Sequence, residues 1–141
     1  MNQAEALSYL RENSRAVLST IKANGRPQLS LVDYGIDDDG LIRIQTNRPA
    51  AKTKNLQRDP RVSLSVVGEN WYRYIVIEGI AGFIEDDPLP ALRETYQLIA
   101  GQPHPDWDEF NQAMIDEQQI VMTIEIERLY PLSEKLSSRA S

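Results

Sequence analysis

The sequence predicts a mostly β, α+β domain, a small antiparallel barrel of six strands with helices at its periphery. Three observations carry this. Strand-like runs alternate apolar and polar residues, most cleanly "RVSLSVVG" at Arg61–Gly68, where Val62, Leu64 and Val66 oppose Ser63 and Ser65. Consecutive runs are joined by turn signals such as "ANGRPQ" and "DDDG", which implies hairpins and antiparallel pairing. Helical spacing occurs only in short stretches before, between or after the strands, unlike the regular alternation of a doubly wound sheet. Twist and closure of such a sheet would hide its edges.

Each element has a local reason. Ala4, Leu7 and Leu10 fall at helical spacing, so Gln3 to Glu12 is expected to be a short amphipathic helix. "RAVLSTIK" (Arg15–Lys22) is the first strand, Asn24-Gly25 supplies the two positive φ angles of a tight hairpin, and Gln28 to Tyr34 returns. "LIRIQT" (Leu41–Thr46) is the third strand, after an acidic turn at Asp37 that reads as solvated. Pro49 suits a helix start, Ala50 to Gln57 can be helical, and Asp59-Pro60 ends it. Arg61–Gly68 is followed by a long β-rich run from Trp71 to Glu85, where Gly79 and Gly82 suggest a bulge or sharp bend. Asp87 reads as the cap of a helix with Leu89, Leu92, Tyr96 and Ile99 on one face and Gly101 at its end. Asp106 caps a second helix, carrying Trp107, Phe110 and Met114 as core or dimer contacts. Ile120, Met122, Ile124 and Ile126 mark a long last strand.

At 141 residues the chain is expected to be one domain over residues 1–132, with a polar C-terminal tail at 133–141. A net charge of -6 argues against a nucleic-acid or anionic-membrane binder. Trp71, Tyr72 and Tyr74 beside Arg73 could stack bases, but no wider basic track accompanies them. The absence of cysteine removes disulfides, thiolate nucleophiles and cysteine-based metal sites, and His104 as the sole histidine excludes a histidine-rich one, so no metal ligands are assigned. No serine–histidine–acid set can be assembled, and no catalytic side chain is assigned. Met1 to Asn13 lacks the apolar block of a signal peptide and no run is long enough to span a bilayer, so the expected location is cytoplasmic.

The most basic stretch is "TNRPAAKTKNLQRDPR", Thr46–Arg61, at a strand-to-helix junction. A helix starting near Pro49 offers unpaired N–H groups and a partial positive charge to an anion. Thr46 and Asn47 can hydrogen-bond there, Lys52 and Lys54 can act as point charges, and Arg48 can grip a phosphate with its planar fork. The other reading of the same residues is a solvated basic helix. His104, between Pro103 and Pro105, reads as an exposed loop residue, or else as a proton carrier at a pocket edge. Glu78, inside a β-rich run, would need a partner such as an arginine of a facing subunit.

"QTN" followed by "RPAAKTKNLQRDPRVSLSV" resembles the pyridoxamine 5'-phosphate oxidase-like family. "AVLSTIKANGRPQLSLVDY", with its L-x-T-x-x-x-x-G-x-P spacing, is similar to the family's opening hairpin, and "WYRYIVIEGIAGFIED" to its later strand. The end, "DWDEFNQAMI…IVMTIEIERLY", resembles the branch that depends on the deazaflavin coenzyme F420. The resemblance implies an antiparallel six-stranded split β-barrel and a homodimer with a flavin or deazaflavin between subunits. It implies oxidoreductase activity: hydride transfer to or from an organic small molecule, with the hard chemistry supplied by the cofactor. It places Arg48, Lys52, Thr53, Lys54 and Asn55 at the phosphate and tail, and Thr20, Gln28 and Ser30 near the ring. Tyr72 and Tyr74, or Trp71, would come from the long strand of the other subunit. Ala50-Ala51-Lys52 stands where FMN-binding relatives often have serine-arginine-lysine and some F420-binding relatives an arginine two before the lysine, so F420 and FMN both stay open. A flavin- or planar-ligand-binding module without defined turnover is the alternative.

Overall fold

The structure, a computed structural model, describes residues 1–132; the tail read at 133–141 lies outside the described residues. Its elements are α1 (Gln3–Glu12), β1 (Arg15–Ile21), β2 (Pro27–Asp33), β3 (Gly35–Ile36), β4 (Ile42–Asn47), α2 (Ala51–Arg58), β5 (Arg61–Val67), β6 (Tyr74–Ile84), α3 (Leu89–Ala100), α4 (Trp107–Asp116) and β7 (Gln119–Tyr130). The strands form one sheet in the order β2-β1-β5-β6-β7-β4-β3, every ladder antiparallel. The sheet curls into a half-barrel. The expected count of six becomes seven because β3, only two residues long, pairs with β4 through Gly35↔Arg43 and Ile36↔Ile42. Too short to alternate, it leaves no periodic trace. Closure is incomplete: β2 and β3 remain edges, and β2 approaches β4 without pairing to it.

The turns follow a different chemistry from the one expected. At the first hairpin only Gly25 has positive φ, 84°, while Asn24 does not. Gly25 N–H donates to Lys22 C=O (2.8 Å), Lys22 N–H to Arg26 C=O (2.9 Å), and Arg26 N–H to the Asn24 side chain (3.0 Å). This is a three-residue loop with glycine in the left-handed position, not a two-residue turn. The loop at Asp38–Gly40 repeats the pattern, with Gly40 at φ 81° and its N–H on Asp37 C=O.

One curled face of the sheet holds the core: Leu18, Ile44, Leu64, Val66, Ile77 and Met122 are buried together, and α1 caps them with Ala6, Tyr9 and Leu10. Tyr34 ends the hairpin inside this core, its hydroxyl donating to Leu10 C=O at 2.7 Å. A second cluster, Leu92, Phe110, Met114 and Val121, lies where α3 and α4 cover β7 from the other side. Val121 is therefore buried although strand alternation points it away from the first cluster. The glycine bulge expected in the long run is present, with a register shift between Glu78 and Gly79. Trp71 to Arg73, expected in that strand, instead form the turn before it.

Four further readings are corrected. Asp87 does not cap α3; it sits at φ 45°, Pro88 occupies the cap and no side chain bonds there. Pro49 precedes α2 rather than starting it, and Ala50 stands at its cap. Glu78 is not a buried orphan awaiting another subunit: its side chain is 44% exposed and Arg128 of the same chain lies 3.9 Å away. Asp37 is not solvated. It is 7% exposed, and its carboxylate accepts from Asp39 N–H (2.9 Å), Leu41 N–H (3.0 Å) and Arg43 Nε (2.8 Å). Arg43 also reaches Glu94 on α3 at 3.1 Å, so this turn ties the β3–β4 edge to the helix layer.

Burial alone would push the Asp37 carboxyl up, but the Arg43 hydrogen bond, the Leu41 and Asp39 N–H groups and the Arg43 charge outweigh it and hold it below its ordinary 3.8. Such a group stabilises the fold fully above the unfolded carboxyl's pKa, and that stabilisation is lost as pH falls through the lower folded value. Asp37→Asn should cost about 1.5–3 kcal/mol at neutral pH, the range for hydrogen bonds to a charged group. It should also flatten the acid side of the stability profile. Urea unfolding at several pH values checks both; an unchanged acid slope in the variant would refute the assignment.

Candidate functional site

The basic segment folds as a corner between β4 and α2, and hydroxyls fix its shape. Thr53 Oγ1, fully buried, donates to Asn47 C=O at 2.7 Å. Its one hydrogen is thereby used, so Thr46 must be the donor in the 2.9 Å contact between the two hydroxyls. The Thr46 and Thr53 side chains are thus committed to holding the helix on the strand. Arg48 is likewise held, its N–H on Gln118 C=O (3.0 Å) and its guanidinium on Glu85 C=O (2.6 Å).

The opening turn of α2 remains available. Its cap residue, Ala50, has no side chain able to accept, and the N–H groups of Ala51, Lys52 and Thr53 have no partner among the described residues. The Asn47 amide and the Lys52 and Lys54 ammonium groups are also without partners there. At 3.6 residues per turn, two positions along a helix are about 200° apart. Lys54 therefore projects away from Lys52. Lys52 borders a cleft of about 350 Å³ whose one lip is Leu31–Asp33 of β2 and whose far wall is Gln45 of β4 with Tyr96, Ile99 and Ala100 of α3. This cleft is the gap where the barrel fails to close. Asp33 on the lip is ion-paired with Arg15 at 3.6 Å.

Thr20, Gln28, Ser30 and Asn55 come together as a connected set. Asn55 Nδ2 donates to the buried Thr20 hydroxyl (3.1 Å), which donates to Gln28 Oε1 (3.0 Å), and Gln28 Nε2 donates to Ser30 Oγ (2.8 Å). Arg58 donates to Asn55 Oδ1 at 3.3 Å and to Ile21 C=O. The fold does not bring Trp71, Tyr72 and Tyr74 to this site within one chain. Trp71 lies on the outer face, 74% exposed, bordering an apolar depression of about 600 Å³ with Val17, Leu31 and Val67. Leu31, 86% exposed, borders both this depression and the cleft, so the two adjoin across the edge strand β2.

His104 is not the exposed loop residue expected. It is half-buried, its Nδ1 accepting Asp106 N–H at 3.0 Å, with its ring 5.1 Å from Tyr96 and 5.4 Å from Phe110. Asp106 does cap α4, accepting from Asp108 and Glu109 N–H. Sequence reasoning missed Gln45, Tyr96 and Arg58. Tyr96 was visible as one apolar position of a helix face, but that it also borders a cleft depends on where α3 docks.

A curled antiparallel sheet left open between β2 and β4, with an uncapped basic helix turn at the opening, makes the molecule a small α+β half-barrel. The profile of the pyridoxamine 5'-phosphate oxidase family matches residues 3–132, and the chain belongs to that family. Similar solved structures include Rv2991, a conserved hypothetical protein from Mycobacterium tuberculosis, at 26% identity and TM-score 0.74, covering 92% of this chain and 82% of that one. An F420 reductase is similar at 19% identity and TM-score 0.67, covering 87% and 94%. HutZ, the heme storage protein from Vibrio cholerae, is similar at 18% identity and TM-score 0.63, covering 92% and 94%. Among the described residues no helix is long and apolar enough to cross a membrane.

Proposed function

We propose that this protein is a cytoplasmic oxidoreductase that binds F420 or FMN and uses it for hydride transfer to or from an organic small molecule. The observation that carries the reading is the open first turn of α2 beside Lys52 at the mouth of the β2–β4 cleft. Free N–H groups, a helix dipole and one unpartnered ammonium suit a phosphate. When bound, the cofactor supplies the hydride chemistry. When the cofactor is bound, Lys52 and the open turn would hold its phosphate, and Val32 and Ile99 would supply apolar walls to the cleft. A homodimer is part of the proposal: the exposed apolar face around Leu31 and Trp71 would be covered by a second copy, bringing that copy's Trp71, Tyr72 or Tyr74 toward the cleft.

Binding of a planar ligand without turnover is the second reading, favoured by the fold shared with a heme storage protein. Histidine ligation of a heme in the cleft is not offered by this chain. His104, its one histidine, is enclosed by Tyr96, Trp107 and Phe110 and does not border the cleft.

Titration calorimetry with FMN and with F420 tests the site. Lys52→Ala should weaken the cofactor that binds by about 10- to 150-fold, the equivalent of 1.5–3 kcal/mol for a charge-assisted hydrogen bond. Lys54→Ala, on the other side of the helix, should weaken it much less. Equal affinity of Lys52→Ala and wild type would eliminate the phosphate site. Turnover with a panel of quinones and enones separates the enzyme from the binding module.

A further inference from the structure

The connection between β5 and β6, Gly68–Arg73, holds two large aromatic side chains out in water: Trp71, and Tyr72 at 88% exposure. Ordering such groups when a partner binds costs free energy unless the turn that carries them is already fixed. This turn is fixed from within and at its base. Tyr72 N–H donates to Asn70 Oδ1 and Arg73 N–H to Asn70 C=O, each at 3.0 Å. One atom of α1 closes the two ends: the Tyr9 hydroxyl accepts Gly68 N–H and donates to Arg73 C=O, both at 2.6 Å. A carbonyl can only accept, so the single phenolic hydrogen is spent on Arg73 and the direction of both bonds is set. The Tyr9 ring is buried in the core, and the Arg73 guanidinium lies over its face, 4.8 Å from the centroid.

Trp71 also borders the apolar depression of about 600 Å³, with Val17, Leu31 and Val67. Anchor and hollow thus share one surface. Two-fold pairing of identical surfaces can seat the aromatics of each copy in the hollow of the other, and buried aromatics dominate the binding energy of such interfaces. We propose that Tyr9 is a positioning residue for self-association: its hydroxyl fixes the turn so that Trp71 and Tyr72 stand as a preformed anchor for a second copy of this chain. The inference rests on the homodimer reading above. It adds that a core residue of α1, and not the interface side chains alone, sets the strength of pairing.

Fluorescence-detected sedimentation over a dilution series gives the dimer Kd of wild type, Y9F, G68A, the double variant W71A/Y72A and the triple variant Y9F/W71A/Y72A. Y9F keeps the ring and removes both bonds, and Kd should rise about tenfold, because each dimer must then order two loosened turns. G68A attacks the same clamp from the other side: a Cβ there would lie 2.9 Å from Tyr9 Oη and 3.2 Å from Asn13 Oδ1, forcing the hydroxyl away. Its Kd should rise as well. W71A/Y72A should raise Kd about a hundredfold or more. In that background Y9F should change Kd by less than about twofold, since no anchor is left to position; a general loosening of the fold would act there undiminished. The Gly68 amide proton should exchange faster in Y9F than in wild type. Melting temperatures well above the working temperature establish that the variants are folded. If wild type dimerises and Y9F and G68A pair equally well, or if Y9F weakens pairing as much without the two aromatics as with them, the role of Tyr9 is wrong and the dimer stands. A wild type that sediments as a monomer at tens of micromolar overturns both.

Discussion

Leu29→Glu combined with Leu31→Glu should give a folded monomer that no longer retains the cofactor. Both leucines are exposed on the same face of β2, Leu29 to 63% and Leu31 to 86%, and Leu31 borders the apolar depression beside Trp71. Contiguous exposed apolar surface of this kind marks an interaction site. Covering a leucine contributes about 1.5–3 kcal/mol, and a two-fold interface counts each residue twice. Removing four leucines and placing four carboxylates there should weaken association by at least about 6 kcal/mol, more than four orders of magnitude in Kd. Analytical ultracentrifugation at micromolar concentration reads this directly. The outward direction of the side chains keeps the fold out of the comparison, and an unchanged circular dichroism spectrum verifies that. A wild-type chain that sediments as a monomer at tens of micromolar would remove the dimer from the proposal.

Gly79→Ala should cause the largest loss of stability of any single methyl group added to this chain. A Cβ at Gly79 would collide with the Glu125 carbonyl oxygen across the β6–β7 ladder and lie 2.8 Å from Ile124 Cγ2. The first of these is backbone of the paired strand and cannot swing aside. The position is also the site of the register shift, so the strand cannot slide to relieve it without repairing the whole ladder. Overpacking commonly costs 1–3 kcal/mol, and a rigid partner puts this case at about 3 kcal/mol or beyond. Gly25→Ala is the informative contrast. Nothing lies within 4 Å of a Cβ there, so only the φ of 84° resists it, at about 1–2 kcal/mol. Urea denaturation of the two variants should rank them in that order; equal midpoints would contradict the steric account.

The antiparallel class, the long last strand, the bulge glycine and the basic corner at Thr46–Asn55 were all legible in the chain, because each is written in residues adjacent in sequence. Alternation encodes a half-buried strand, and proline and glycine encode where it must stop. Some errors were local, as in the hairpin loop and the helix caps, and others fell where partners lie further along the chain. Asp37 looked solvated because nothing local announces that Arg43 folds back on it and Glu94 joins from α3. The Thr53 hydroxyl is consumed by Thr46 and Asn47, so only its N–H stays open in the α2 turn. His104 looked exposed between two prolines, yet four aromatic rings meet there.

By itself, the sequence determined the pattern of strands and the charge and backbone chemistry of the α2 turn, since these depend on spacing and side-chain type. Only the tertiary structure decided that the unpaired gap between β2 and β4 becomes a cleft, that Lys52 borders it, and that Arg58, Asn55, Thr20, Gln28 and Ser30 join in one hydrogen-bonded set. Those outcomes require elements remote in the chain to meet at hydrogen-bonding distance, and directional contacts of that kind leave no periodic signature in the order of residues.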